Sequence, residues 1–369
     1  MTVERIVDWL VNGAPGVPPR APDVFQKMCE DLVAVGVPID RGEAFVRTLH
    51  PHIVGRSFVW QPGKPVEVRE QTFAYLASQE FVAGSIGAVF RTGEWQRVTT
   101  PERDLVVAPL TFLTGQHHAV SIETRRPGGF DDSHIAAFRR VGPPLARVAE
   151  ILALARTATN LLDTYVGRNA GARIMAGRIQ RGDVEPIHAV LWFSDLRGFT
   201  TLAGEVPPNV LIGALNDLFE CQVPAIQRHG GEVLKFMGDG LLAIFPIVEG
   251  GRPVPELCSA ALTAANEAIA DLGALNERRA ARGEAPMRIG LALHVGDVAY
   301  GNIGGAGRLD FTCIGPAVNL ASRLEGVAGK LGRTFVVSEA FAQASGRSFE
   351  DLGRYEVKGV AEPQRVYGA

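Results

Sequence analysis

Cysteine is scarce in this 369-residue chain. There are four, Cys29, Cys221, Cys258 and Cys313, far apart and without a CxxC pair. That spacing excludes a zinc-finger cluster or a disulfide framework and predicts buried thiols in a reducing compartment, with redox sensing as the alternative. Long apolar runs are missing too. No stretch approaches the ~20 residues that span a bilayer, so no membrane partner is expected. The opening segment, MTVERIVDWL, has no basic stretch followed by an apolar core. No signal peptide is expected, and a cytoplasmic location is. Charge of one sign is also lacking: 37 Lys and Arg face 40 Asp and Glu, a formal net charge of −3. That balance predicts no strong attraction to nucleic acid or anionic membranes.

What is present is an ordinary globular balance, 46% apolar and 21% charged, with glycine at about 11% against a usual ~7%. The length suggests two domains, and the glycine-rich, turn-rich pattern an α+β chain. The first ~50 residues read as short helices, interrupted by the turn-rich VNGAPGVPPRAP from Val11 to Pro22. Between residues 51 and 125, HIVGRSFVW, SIGAVFRTG, LVVAPLTFL and HHAVSIETRR read as strands. RPGGFDDSHIAAFRR then gives a turn and a helix, with Asp131, Asp132 or Ser133 as the cap.

This ending, a strand followed by ETRRPGGFDDSHIAAF and a long exit helix, resembles the end of GAF-type sensor domains over ~30 residues. The resemblance implies a regulatory domain over residues 1–142 that takes a small-molecule or protein effector, whose identity the sequence leaves open. His117 and His118 are neighbours on a strand and point to opposite faces, so a shared metal is disfavoured.

Pro143 and Pro144 can start a helix. Leu145, Val148, Leu152, Ala155, Thr159, Leu162 and Val166 then follow 3,4 spacing. This is a seam for a parallel two-helix coiled coil over residues 143–170. Ile151, Leu154, Ala158 and Leu161 form a second stripe that packs elsewhere. The alternative is one amphipathic helix lying on its own domain.

The remainder, residues 171–369, reads as β-α-β-β-α-β with additions, a ferredoxin-like core. IHAVLWFSD is a strand ending at Asp195. GEVLKFMGDGLLAIF is a hairpin with Asp239 at its tip. Gly198, Gly238 and Gly240 flank the two aspartates and permit close approach of a phosphate. Two carboxylates on adjacent strands suit Mg²⁺ or Mn²⁺, hard cations that share their other positions with phosphates and water. Read alone, Asp239 could equally be a turn residue and Asp195 a helix cap. Asn319 and Arg323, four apart in PAVNLASRLEG, share a helix face that suits a developing phosphoryl charge or is simply a polar surface stripe.

FSDLRGFT, GGEVLKFMGDG, FTCIGPAVNLASRLEG and YEVKGVAEPQRVY together resemble class III nucleotidyl cyclases over roughly residues 187–368. The resemblance implies an adenylyl cyclase that converts ATP to 3′,5′-cyclic AMP and pyrophosphate. Asp195 and Asp239 would hold two metal ions. Asn319 would orient the ribose, and Arg323 would stabilise charge on the α-phosphate. Lys358, in EVKGV, would meet the distal phosphates, with Gly198 and Phe199 also lining the substrate site. Lys235 and Thr312 fall where this family reads the purine, and the Lys/Thr pairing resembles a bacterial subgroup. A lysine only donates, so it suits the N1 acceptor of adenine and repels the N1–H of guanine. Pro316 stands where the family often has aspartate, a tolerated entry to a helix.

The resemblance also implies a homodimer, because the family builds each site from two domains and this chain has one domain carrying the full set. The competing readings are a silent nucleotide-binding or dimerising module and a guanylyl cyclase. The second is disfavoured by Lys235. A diguanylate-forming enzyme would carry GGDEF, where this hairpin reads MGDG.

Overall fold

The computed structural model describes residues 2–13, 20–305 and 307–369. Residues 14–19, the middle of the turn-rich stretch expected between Val11 and Pro22, lie outside them. The chain divides into two compact units, Met1–Leu161 and Leu162–Ala369.

The first unit opens with helices α1 (Val3–Asn12) and α2 (Ala21–Ala34). Its sheet comprises β1 (Arg41–Arg47), β2 (Ile53–Trp60), β3 (Glu67–Thr72), β4 (Gln96–Thr99), β5 (Asp104–Thr111) and β6 (His117–Thr124). The strands are antiparallel in the order β3-β2-β1-β6-β5-β4. Three short helices, α3 (Phe73–Ala77), α4 (Gln79–Ala83) and α5 (Ser85–Thr92), separate β3 from β4. Helix α6 (Asp132–Tyr165) leaves the unit. One core joins α1, α2 and α6 to the sheet through Met28, Leu32, Val120, Ile122 and Phe138. Residues of α3, α4 and α5 pack with Phe45, Val54, Val107 and Ala119 in two smaller clusters.

Three expectations are corrected here. The first ~50 residues are not all short helices, because Arg41–Arg47 form strand β1. SIGAVFRTG is helix α5, not a strand, and Gly93 closes it in the left-handed conformation. Its β-branched and aromatic residues looked like a strand, but Ile86, Val89 and Phe90 recur at helical spacing on the packed side. Pro143 and Pro144 do not begin a helix; they lie inside α6. Phe138, Val141, Leu145 and Ala146 bury one continuous face on the unit's core, which holds the segments before and after the prolines in one line.

The two stripes on α6 differ in exposure. Leu145, Val148 and Leu152 pack on the unit's own core. Ile151, Leu154 and Tyr165 are 67%, 70% and 79% exposed, and Leu161 is exposed too. The more exposed stripe is therefore the second.

The second unit begins with α7 (Arg168–Met175) and β7 (Val184–Leu196). Then come α8 (Phe199–Glu205), α9 (Pro208–Arg228), the hairpin β8 (Glu232–Met237) and β9 (Gly240–Ile247), α10 (Val254–Ala281) and β10 (Ile289–Gly305). The chain ends with β11 (Arg308–Ile314), α11 (Pro316–Lys330), β12 (Phe335–Ser338), α12 (Glu339–Ser345), β13 (Glu350–Tyr355) and β14 (Gln364–Gly368). The sheet order is β13-β14-β12-β10-β7-β9-β8, with β11 paired to β10. Strands β10-β7-β9-β8 form the βαββαβ core expected from the pattern of elements.

Strand β7 is central, and Ala189, Val190, Leu191 and Trp192 are all fully buried. Val190 and Trp192 join the core built with α9 and α10, while Ala189 and Leu191 join a core with Ala317 and Ala321 of α11. Cover on both faces explains the unbroken apolar run of this strand. It also sets the direction of Asp195, whose position alternates with Leu191 and Phe193 toward the α11 face.

Candidate active site

The second unit assembles the expected residues into three groups. In the first, Asp195 ends β7 and Asp239 sits in the two-residue turn between β8 and β9. Gly238 takes a φ of +69°, the left-handed value a tight hairpin needs at its first central position. The pairing of Ser194 with Leu241 brings the two chain ends side by side. A side chain at Gly240 would put its Cβ 3.2 Å from Asp195 Oδ1, so glycine keeps this approach open. Burial, and then the adjacent Asp239 carboxylate, push the Asp195 carboxyl up to about 6. Two like charges in a half-buried place fit a divalent cation, which would relieve their repulsion. Among the described residues no cluster of three or more His, Cys, Asp or Glu could hold a metal, so ligands beyond this pair would be backbone carbonyls, phosphate and water.

In the second group, Lys235 of β8 donates from Nζ to Asp310 Oδ2 at 2.7 Å. Asp310 stands two residues before Thr312 on β11 and so on the same face of that strand. The Thr312 hydroxyl is buried and has no hydrogen-bond partner. A buried hydroxyl without a partner is costly unless a ligand satisfies it.

The third group lies on α11 and the loop before β14. Asn319 is exposed, and Arg323 is half-buried one turn later. The Arg323 guanidinium approaches Gly359, where an added Cβ would lie 3.2 Å from Nη1. The exposed Lys358 is its chain neighbour. Gly198, with φ +75°, leads into α8, and Phe199, the first residue of that helix, packs partly buried on the core.

Among the described residues, no hydrogen bond or ion pair joins Asp195 or Asp239 to Lys235, Thr312, Asn319 or Arg323. Two residues the sequence reading passed over do link the first and third groups. Arg197, two after Asp195, lies 2.7 Å through Nη1 from Glu325 Oε1, and its Nη2 donates to the Glu325 carbonyl oxygen at 3.0 Å. The Oε1 contact is an ion pair without hydrogen-bond alignment. Burial pushes the Glu325 carboxyl up to about 7, with Arg197 opposing and Asp195 and Asp239 adding to the rise. Asp310 was missed as well. The signal for Arg197 and Glu325 was their place inside the FSDLRGFT and FTCIGPAVNLASRLEG blocks, and for Asp310 its position immediately before the second of these.

In the first unit, His118 is buried and His117 is only partly covered. His118 Nδ1 accepts from the Arg47 backbone N–H at 3.1 Å, and burial pushes its imidazole down to about 4. This describes a neutral core histidine. All four cysteines are buried and unpaired. Among the described residues no helix is long and apolar enough to cross a membrane.

Comparison with known proteins agrees with this geometry. The family described as "Adenylate and Guanylate cyclase catalytic domain" matches residues 184–367. An adenylate cyclase of Anabaena cylindrica is 31% identical over 166 residues, 44% of this chain and 32% of its own length. Adenylate cyclase 1 of Rhizobium meliloti is 29% identical over 179 residues, 47% of this chain and 26% of its own length. The chain thus spans about a third or less of the length of these curated relatives. A solved bacterial light-regulated adenylyl cyclase shares the fold, with a TM-score of 0.52 at 21% identity over 70% of this chain and 83% of that one. Residues 184–367 are an adenylate and guanylate cyclase catalytic domain.

Proposed function

We propose that the protein is an adenylyl cyclase that works as a homodimer and converts ATP to 3′,5′-cyclic AMP and pyrophosphate. The reaction forms a bond from the ribose 3′-oxygen to the α-phosphorus and breaks the bond to the bridging oxygen of the β-phosphate. The 3′-hydroxyl proton is released.

The observation that carries the choice of base is the group of Lys235, Asp310 and Thr312. Asp310 holds the Lys235 ammonium in place, leaving its other hydrogens to donate to adenine N1. Asp310 only accepts, and the unpartnered Thr312 hydroxyl can accept, so both suit the exocyclic amine of adenine. Guanine would present N1–H to Lys235 and a carbonyl to Asp310, while the Thr312 hydroxyl, which can also donate, makes the discrimination less strict than an aspartate there would.

Asp195 and Asp239 would hold the divalent ions, Mg²⁺ or Mn²⁺. When bound, these ions neutralise the triphosphate and acidify the 3′-hydroxyl. Asn319 donates to the ribose and fixes its pucker. Arg323 donates to the α-phosphate as charge gathers there, and Lys358 meets the distal phosphates. Gly198 and Phe199 shape the turn beneath the phosphates.

The dimer reading rests on the resemblance to a family that builds each site from two catalytic domains, and on one domain here carrying the full set of residues. A symmetric pair would place the aspartates of one copy against the base-reading and α11 groups of the other, making two equal sites. The first unit and α6 would act as a sensor that sets the spacing of the copies in answer to a small-molecule or protein effector. The test is production of cyclic nucleotide by the purified protein from ATP and from GTP, with Mg²⁺ or Mn²⁺, beside an Asp239→Ala control. Cyclic AMP that depends on Asp239 supports the reading. Cyclic GMP as the main product would refute the base assignment.

A further inference from the structure

The Arg197 guanidinium occupies a slot with no room to spare. A Cβ on Gly290 would overlap both the guanidinium and the Glu325 carboxylate, and a Cβ on Gly329 would strike the guanidinium from the other side. Gly290 is the register partner of Asp195 across β10 and β7, while Gly329 lies on α11 four residues after Glu325. The guanidinium is thus held to Glu325 by an ion pair and a backbone hydrogen bond together. The backbone hydrogen bond sets the orientation of the guanidinium, and the ion pair adds attraction at close range. Its two ends lie two residues from Asp195 and two residues from Arg323. Glu325 is buried, so this contact is a fixed part of the interior rather than a surface ion pair.

We propose that Arg197 and Glu325 are a positioning pair that locks α11 to the strand end carrying Asp195, so that each composite site depends on this pair in both chains. The proposal rests on the shared-site dimer reading above. In such a dimer the Asp195 end of one chain and its α11 serve different sites. The pair therefore joins one site to the other inside each protomer. A displaced α11 would misplace Asn319 and Arg323 in the neighbouring site, and small displacements of such groups cost rate more than binding.

The test uses full-length chains in mixed dimers. Asp239→Ala and Asn319→Ala each disable one half-site. A dimer with one of each keeps a single intact site, made from the aspartates of the Asn319→Ala chain and the α11 of the Asp239→Ala chain. Arg197→Gln is then added to one chain at a time. The expected result is a fall in kcat of about tenfold or more from either chain, with KM for ATP changed less than about threefold. Glu325→Gln, which keeps the shape of the side chain, should act the same way. A fall only when Arg197→Gln sits in the chain supplying the aspartates would overturn the proposal, because Arg197 would then serve Asp195 alone. No activity from the unmodified mixture would instead remove the shared-site reading, and the proposal with it. Thermal unfolding of each variant separates these outcomes from failure to fold. Partial recovery in Arg197→Gln/Glu325→Gln relative to Arg197→Gln would support the pairing.

Discussion

The Lys235 ammonium is held 2.7 Å from the Asp310 carboxylate, across from a Thr312 hydroxyl that has no partner of its own. A lysine so paired has its direction fixed before any substrate arrives. Asp310→Ala should therefore lower kcat/KM for ATP by about tenfold, the scale of one charge-assisted hydrogen bond. The same change should lower discrimination against GTP. Thr312→Ala should cost ATP turnover less, since it removes a neutral group. Steady-state rates with both nucleotides check this, and an unchanged ratio in Asp310→Ala would refute the role given to Asp310.

Asp195 and Asp239 repel one another in a half-buried place, which burial and the neighbouring charge register as a carboxyl raised to about 6. Without metal, Asp239→Asn should stabilise the second unit by a few tenths to about 1 kcal/mol, solvent screening holding the gain down. The same change should abolish activity and remove stabilisation by Mn²⁺. Thermal unfolding with and without Mn²⁺ reads all three effects. A metal-free loss of stability would show that the two carboxylates are not in conflict.

Two buried histidines predict acid sensitivity. Burial pushes both His118 and His294 down to about 4. The folded state then binds fewer protons than the unfolded one between about 6.5 and 4. Stability from each group is complete above the unfolded value near 6.5 and is lost as pH falls toward the folded value. The loss at pH 5 is on the order of 2 kcal/mol for each histidine. His294 Nδ1 lies 2.8 Å from Ser338 Oγ, so His294→Asn can keep a polar contact while removing the titration. Denaturant unfolding at pH 7 and pH 5 should show a smaller difference in that variant than in the parent protein.

The stripe of Ile151, Leu154, Ala158, Leu161 and Tyr165 follows 3,4 spacing along α6, with all but the half-buried Ala158 exposed. If it forms the seam between copies, Leu154→Asp should shift the protein to monomers at micromolar concentration and lower its specific activity there. Raising the concentration should restore activity. Leu152→Asp should behave differently, unfolding the first unit because that side chain packs on its core. Sedimentation together with activity across a dilution series distinguishes the two.

The second unit was legible because its strands are bounded by motif blocks whose turn chemistry is explicit, as at MGDG. The two-sided apolar run of IHAVLWFSD and the hairpin flanking Asp239 came through for the same local reason. In the first unit, SIGAVFRTG was misread because β-branched and aromatic content competes with helical spacing in so short a segment. Which stripe of α6 faces outward depends on what the sheet offers to Leu145, Val148 and Leu152, and no helical period contains that. Asp310 and Glu325 escaped notice because their partners, Lys235 and Arg197, lie 75 and 128 residues away in sequence.

The central claim is that one site is made by two copies of this chain. The measurement that tests it most directly is cyclic AMP formation by a mixture of Asp239→Ala and Asn319→Ala proteins, each inactive alone. With random exchange, half of the dimers are mixed and each holds one intact site, so about a quarter of the parental activity should return. A mixture as inactive as its two components, with exchange of subunits verified, would contradict the account.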